Sequence, residues 1–279
     1  LFRSPIPYIM ENAEETERLE MKTDSAVVAA QAGRAGLLPG MRVADIGCGP
    51  GKTTSILGGI AGITGSAVGF DGSEERIEYA RRRYGSAPAS DAGADVSFIR
   101  HDLREPIEGL PPFDFVWVRF FLEYHRTEAF NIVRNCASIL KPGGILCLVD
   151  LDHNCMSHYG ITPRLEKAVK AAISILEEKA DFDPYAGRKL YSHLYRNGFS
   201  DISVHMEAHH LIFGILKETD EMNWMTKVTV LPEKVRAVLP GYESIREFQE
   251  DFRAFFTDPG RFSYTPLIAC WGRKPLSAS

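Results

Sequence analysis

From Val43 to Asp150, short apolar runs alternate with amphipathic segments, the form taken by a parallel sheet whose strands are buried on both faces and joined by helices. The first run, Val43 to Ile46, enters a glycine turn, and "SAVGFD" predicts a second strand ending at Asp71. Ser73 then caps a helix with Glu74 and Glu75 in its positive first turn, which continues through "EERIEYARRRYG" until Gly85 stops it. "VSFIRHD" predicts a third strand ending at Asp102, and "FDFVWVRF" a fourth. A helix over "EAFNIVRNCASIL" breaks at "KPGG", because Pro142 cannot continue it, and "ILCLVDLD" is the fifth strand. Each strand ends in polar or charged residues, and the carboxyl ends of such strands are where open α/β sheets bind ligands.

Beyond Asp150 the pattern is less regular. "RLEKAVKAAISILEEKA" and "GRKLYSHLYRNGF" have apolar residues at helical spacing, the second ending at Gly198, while "DISVHMEA" and "PLIACWGR" read as the last two strands. The long connection between those strands is helical in pattern, and connections of that length are usually functional. It is expected to form a cap over an enclosed pocket, with Met222, Trp224, Met225, Phe255, Phe256 and Phe262 shared between cap core and pocket wall.

Composition narrows the partners. The chain has 279 residues, 44% of them hydrophobic and 25% charged, as expected of one large α/β domain with insertions. Lys and Arg number 32 against 37 Asp and Glu, and the longest basic run is Arg81 to Arg83, so nucleic acid is not an expected partner. The five cysteines contain no C-x-x-C pair, which suggests neither a disulfide framework nor a zinc ribbon and fits a reducing cytoplasm. No stretch resembles a signal peptide or membrane span, and because the chain opens on Leu1, residues are expected upstream of it.

The most specific stretch is "VADIGCGPGKTT", Val43 to Thr54. A phosphate-binding P-loop needs a glycine five positions before Gly51, where Ile46 stands. The dinucleotide fingerprint started at Gly47 needs a small residue at position 52, which is Lys52. What survives is a shorter G-x-G-x-G turn, whose glycines let a ligand approach the backbone.

In order along the chain, "DIGCGPG", Asp71 at the end of the second strand, "RHDL" and "LKPGG" resemble the motifs of class I S-adenosylmethionine-dependent methyltransferases. The flanks "ENAEETERLE" and "GRKLYSHLYRNGF" are similar to the bacterial small-molecule branch that includes quinone-pathway enzymes. The resemblance implies a Rossmann-like, doubly wound, seven-stranded, mostly parallel sheet with an antiparallel last strand. The chain is then divided into an N-terminal helical lid over 1–40, expected because "SPIPYIMENAEETERLEMK" is too short and polar to form its own core, a core over 41–213 and 264–275, and the cap over 214–263. The resemblance also implies S-adenosylmethionine as cofactor, with S-adenosylhomocysteine as product. In that reading Asp71, followed by Gly72, accepts both ribose hydroxyls, a bidentate role suited to a carboxylate. Asp102 accepts from the adenine amino group, while the Leu103 amide donates to the ring. Gly47 and Gly49 pass the methionine portion. Asp45 orients the loop or meets the ammonium group, and the carbonyl of Arg119, followed by Phe120, binds that ammonium. Arg18 pairs with the cofactor carboxylate. For Asp102, a cap on the following turn is the plainer alternative, and for Arg18 a solvated helix arginine is.

The implied activity is transfer of the methyl group to a small, partly apolar acceptor through an O, N or C nucleophile. The alternative is a catalytically silent S-adenosylmethionine-binding protein with a regulatory or assembly role. Methyl transfer disperses charge, so the protein mainly orients and excludes water, and a base is required only for a protonated nucleophile. Candidates follow strands four and five: Tyr124 and His125, then Asp150, Asp152, His153, Cys155, His158 and Tyr159. His153 is the first choice of base, since imidazole titrates near neutral pH. Its alternative is a surface or packing role. Asp150, Tyr124, His125, His158, Tyr8 and Trp224 are assigned to the acceptor pocket, with Tyr8 reaching in from the lid. No metal is expected, because these mixed donors lack a recognised ligand spacing. The expected partners are therefore a small molecule and, for self-association, a homodimer; a nucleic acid and a membrane are not expected.

Overall fold

A computed structural model describes residues 20, 23–85, 95–218, 220–222, 224, 225, 228 and 239–276. Tyr8 and Arg18 lie outside the described residues. The elements are α1 Ser25–Ala35, β1 Arg42–Ile46, α2 Lys52–Ala61, β2 Ser66–Asp71, α3 Glu74–Tyr84, β3 Asp95–Arg100 and β4 Phe113–Arg119. They continue with α4 Ala129–Ser138, β5 Leu140–Leu151, β6 His158–Tyr159, α5 Pro163–Lys179, α6 Ala186–Arg196, β7 Ser200–Phe213, α7 Ile245–Thr257 and β8 Phe262–Arg273.

The sheet runs β3-β2-β1-β4-β5-β8, with the two-residue β6 and the long β7 also paired to β8. Strands β3 to β5 are parallel, and β8 runs antiparallel to β5 and β7. Strand β1 is therefore central, with β2 on one side and β4 on the other, and chain order reverses there. That reversal opens the crevice at the carboxyl ends where ligands bind in such sheets.

Alternation along the strands fills two cores. Phe115 and Trp117 of β4 face α1 and α2 with Val28, Ala32 and Leu57, whereas Phe113, Val116 and Val118 face α4 and α6 with Ile132, Val133 and Leu190. A third cluster brings Leu165, Val169 and Ile173 of α5 against Phe248, Phe252 and Phe256 of α7 around Trp224. Helix α3 is capped as expected, the Ser73 hydroxyl accepting from the Arg76 amide.

Four boundaries differ from the sequence expectation. Strand β3 ends at Arg100, because pairing with β2 stops there and residues 101–102 turn away. "KPGG" lies inside β5, accommodated by a register shift opposite Phe113 and Phe115. Strand β8 starts at Phe262, within the stretch expected to be cap, since β6 and β7 both pair with its first residues. Strand β7 runs on past Ala208 to Phe213, because β8 offers it a partner along that whole length.

Candidate functional site

The glycine turn leaves β1 with both the Gly47 and Cys48 amides donating to the Phe70 carbonyl, which fixes the loop to the end of β2. Gly47 and Gly49 both have positive φ, 74° and 54°, but for different surroundings. A Cβ on Gly47 would stand 2.4 Å from the Phe121 ring, whereas a Cβ on Gly49 meets nothing within 4 Å. Gly47 is thus demanded by packing against Phe121. At Gly49 the same position meets open space.

Asp71 closes the other side of the turn. One carboxylate oxygen accepts from the Gly49 amide at 2.9 Å and the other from the Ser73 amide at 2.9 Å. Asp71 is buried, so these bonds hold its carboxylate rigidly beside the open face of Gly49. Gly72 follows, its carbonyl accepting from Arg100. Asp102 stands beyond β3 with both oxygens held by the Arg104 guanidinium, at 2.8 and 2.6 Å, and it also accepts from the Arg104 amide. Those bonds hold its carboxyl below the usual range, Arg104 being the main cause. The turn-capping role is therefore present, and Leu103 beside it is buried.

Asp45 and Arg119 lie at the ends of β1 and β4. Burial pushes the Asp45 carboxyl up to about 7; the bond from Thr54 opposes this, Asp71 adds to it and Arg119 opposes it. The Thr54 hydroxyl donates to Asp45 at 2.7 Å. Burial is also the main influence on the Arg119 guanidinium, drawing it down to about 10 against the pull of Asp45, Asp150 and Glu207. Arg119 lies over the Phe120 ring at 4.0 Å and donates to Gln31, which in turn donates to Glu207 at 2.7 Å. The sequence reading assigned only the carbonyl of Arg119; the structure gives its side chain a line of partners from three elements.

The acceptor-side candidates separate into groups. His153, at φ 52°, has Nδ1 2.7 Å from the Ser157 hydroxyl and its ring 5.9 Å from Tyr185. Asp150 is fully inside, accepting from the Glu123 and Leu151 amides, and burial followed by repulsion from Glu123 raises its carboxyl well above the usual range. It braces the turn after β4. His125 packs on Phe121 at 4.4 Å, and burial, then Arg104, lowers its imidazole to about 4. That places His125 toward the Asp102 side. Tyr124 meets Phe182 at 5.9 Å. His158 contacts Ser263 and the Cys155 carbonyl, and it lies edge-on to Trp224 at 5.8 Å. Trp224 is buried and stacks on Phe256 at 4.7 Å, so it belongs to the cap core while its other neighbours include His210 at 6.0 Å.

Two residues absent from the sequence reading, His209 and His210, join this group. Their rings are 4.0 Å apart, and His209 lies 5.3 Å from Phe120. The signal was the apolar "LIF" after "HH", which extends the strand. Among the described residues no group of three His, Cys, Asp or Glu is placed to hold a metal ion, and all five cysteines are free thiols. No described helix is long and apolar enough to cross a membrane.

Residues 43–144 match the family model described as "Methyltransferase domain". A ubiquinone biosynthesis O-methyltransferase of Vibrio vulnificus is 30% identical over 133 residues, covering 47% of this chain and 52% of that protein. The chain thus spans about half the length of the curated relatives it matches. Among solved structures, the YcgJ protein from Bacillus subtilis superimposes with a TM-score of 0.58 at 16% identity, covering 90% of this chain and 99% of that one. Phosphoethanolamine N-methyltransferase 2 of Haemonchus contortus, solved with S-adenosyl-L-methionine, gives 0.53 at 17%, covering 90% and 52%. At those identities the likeness is one of fold.

Proposed function

We propose that this chain, whose residues 43–144 match the methyltransferase-domain model, is a class I S-adenosylmethionine-dependent methyltransferase that transfers the cofactor's methyl group to a small, partly apolar acceptor. The observation that carries the reading is the pairing of the open side of Gly49 with the Asp71 carboxylate at the carboxyl ends of β1 and β2. Asp71 and Gly72 hold the ribose there, and Asp102 and Leu103 border the adenine. Asp45 and the Arg119 carbonyl receive the ammonium group. When bound, the cofactor supplies an electrophilic methyl carbon on a sulfonium and leaves as S-adenosylhomocysteine. The catalytically silent alternative uses the same cofactor residues, and no observation favours it.

Titration calorimetry with S-adenosylmethionine is expected to show saturable binding that weakens as pH falls below about 7, because protonation removes the Asp45 counter-charge. The loss approaches about tenfold per pH unit if the ammonium contact requires the ionised carboxylate. Asp45→Asn should flatten that dependence. A screen of phenols, quinols, amines and thiols, read by mass spectrometry, should then yield a methylated product. Absence of saturable binding overturns the reading. Tight binding with no methylated product from any class supports the silent alternative.

A further inference from the structure

Strand β7 carries a bulge where it passes the site. His209 pairs with Thr265 and Ile212 with Ser263, so three steps along β7 match two along β8. His210 has φ 49°, a conformation rare outside glycine. In a regular strand consecutive side chains point to opposite faces, and one extra residue reverses that alternation. The burial pattern shows the reversal: 205, 207 and 209 are the more sheltered positions before it, 210 and 212 after it. Both imidazoles are thereby brought together, ring against ring at 4.0 Å.

Their position is defined from both ends. His209 lies against Phe120, whose own φ is 53° and whose ring also carries the Arg119 guanidinium. His210 lies against Trp224, which contacts His158 and the cap. The pair therefore connects the end of β4, where the cofactor's methionine portion is placed, with the aromatic cap. A cation, an imidazole and an aromatic wall in that sequence suit an apolar molecule bearing an acidic hydroxyl.

Resting on the methyl transfer proposed above, we propose that His209 is the general base, that His210 orients it, and that the acceptor presents an ionisable hydroxyl of the phenol or enol type. The imidazole of His209 takes the hydroxyl proton while the oxygen forms its bond to the methyl carbon. The methyl–sulfur bond breaks with its electron pair going to sulfur, and the proton passes from the imidazole to solvent. The titratable His210 is in contact with His209; Arg119 of β4 lies on the Phe120 ring that His209 also meets, and His205 and Glu207 stand on the same side of β7 as His209. Arg119 favours the developing oxyanion, and Glu207 favours the imidazolium left after proton transfer.

The probe is 4-nitrocatechol, whose absorbance reports its ionisation. With wild type saturated by S-adenosylhomocysteine, bound probe should lose its proton at a lower pH than free probe, and His209→Gln should reduce that shift to the part Arg119 supplies. Methylation of the probe should fall roughly 10²-fold or more in His209→Gln. It should recover as pH rises through the probe's own ionisation, with S-adenosylmethionine affinity unchanged within about twofold. His210→Gln should lower the rate less and mainly raise KM. Absence of saturable probe binding, an unshifted bound probe in wild type, or a His209→Gln pH profile like wild type overturns the proposal. So does a loss that falls on His153→Gln instead. A wild type that fails to bind S-adenosylmethionine removes the parent reading as well, which separates the two failures.

Discussion

Asp71→Ala is expected to weaken S-adenosylmethionine binding at least tenfold, about 1.4 kcal/mol or more, because two charge-assisted hydrogen bonds to the ribose are lost. The structure adds a second contribution. The same carboxylate accepts from the Gly49 and Ser73 amides, so the alanine also releases the turn that frames the opening. Leaving the buried Gly49 amide without its acceptor costs about 1–3 kcal/mol of stability at most, and the half-buried Ser73 amide less, because water replaces the acceptor there. Asp71→Asn separates the effects. Its carbonyl oxygen can still accept from one amide, but its amide nitrogen then faces the other as donor against donor. Both variants should bind cofactor weakly, with the alanine melting at the lower temperature. Unchanged calorimetric affinity in Asp71→Ala would sink the ribose assignment.

The second large effect comes from two glycines of one turn that respond differently to the same substitution. Gly47→Ala places a methyl group 2.4 Å from the Phe121 ring at a φ of 74°. Left-handed strain of about 1–2 kcal/mol adds to an overpacking cost of about 1–3 kcal/mol, so denaturant unfolding should show a loss of several kcal/mol. Gly49→Ala bears only the strain, since nothing lies within 4 Å of its Cβ, and it should remain folded. Its methyl group occupies the opening instead, so its measurable loss is in cofactor affinity. Pairing Gly47→Ala with Phe121→Ala should recover part of the stability lost by the glycine variant, a coupling a double-mutant cycle measures directly. If Gly47→Ala and Gly49→Ala unfold at the same denaturant concentration, the packing role of Phe121 is wrong.

What sequence alone determined here was local. The "DIGCGPG" turn, the acid ending β2, the Ser73 cap and the amphipathic helices α3, α5 and α6 follow from spacings of a few residues. Strand burial, cap bonds and left-handed turns are set by near neighbours, so their residue types leave a readable pattern. The doubly wound, mostly parallel sheet with an antiparallel last strand then follows from the resemblance those motifs carry, and the structure agrees with it.

Tertiary structure decided the chemistry around that frame. Arg119 meets Gln31 across 88 residues of sequence, and Gln31 meets Glu207 across 176. Burial of Asp150 against Glu123 depends on how the turn after β4 packs on β5, and no spacing within either segment reports it. The end of β7 was hidden because "EAHH" is polar and carries no apolar alternation. Only pairing with β8 keeps that stretch extended, and only the mismatch of three residues against two turns both histidines toward Phe120 and Trp224. Register is a property of two strands together, so side chains whose meeting depends on it acquire their neighbours only when the sheet is assembled.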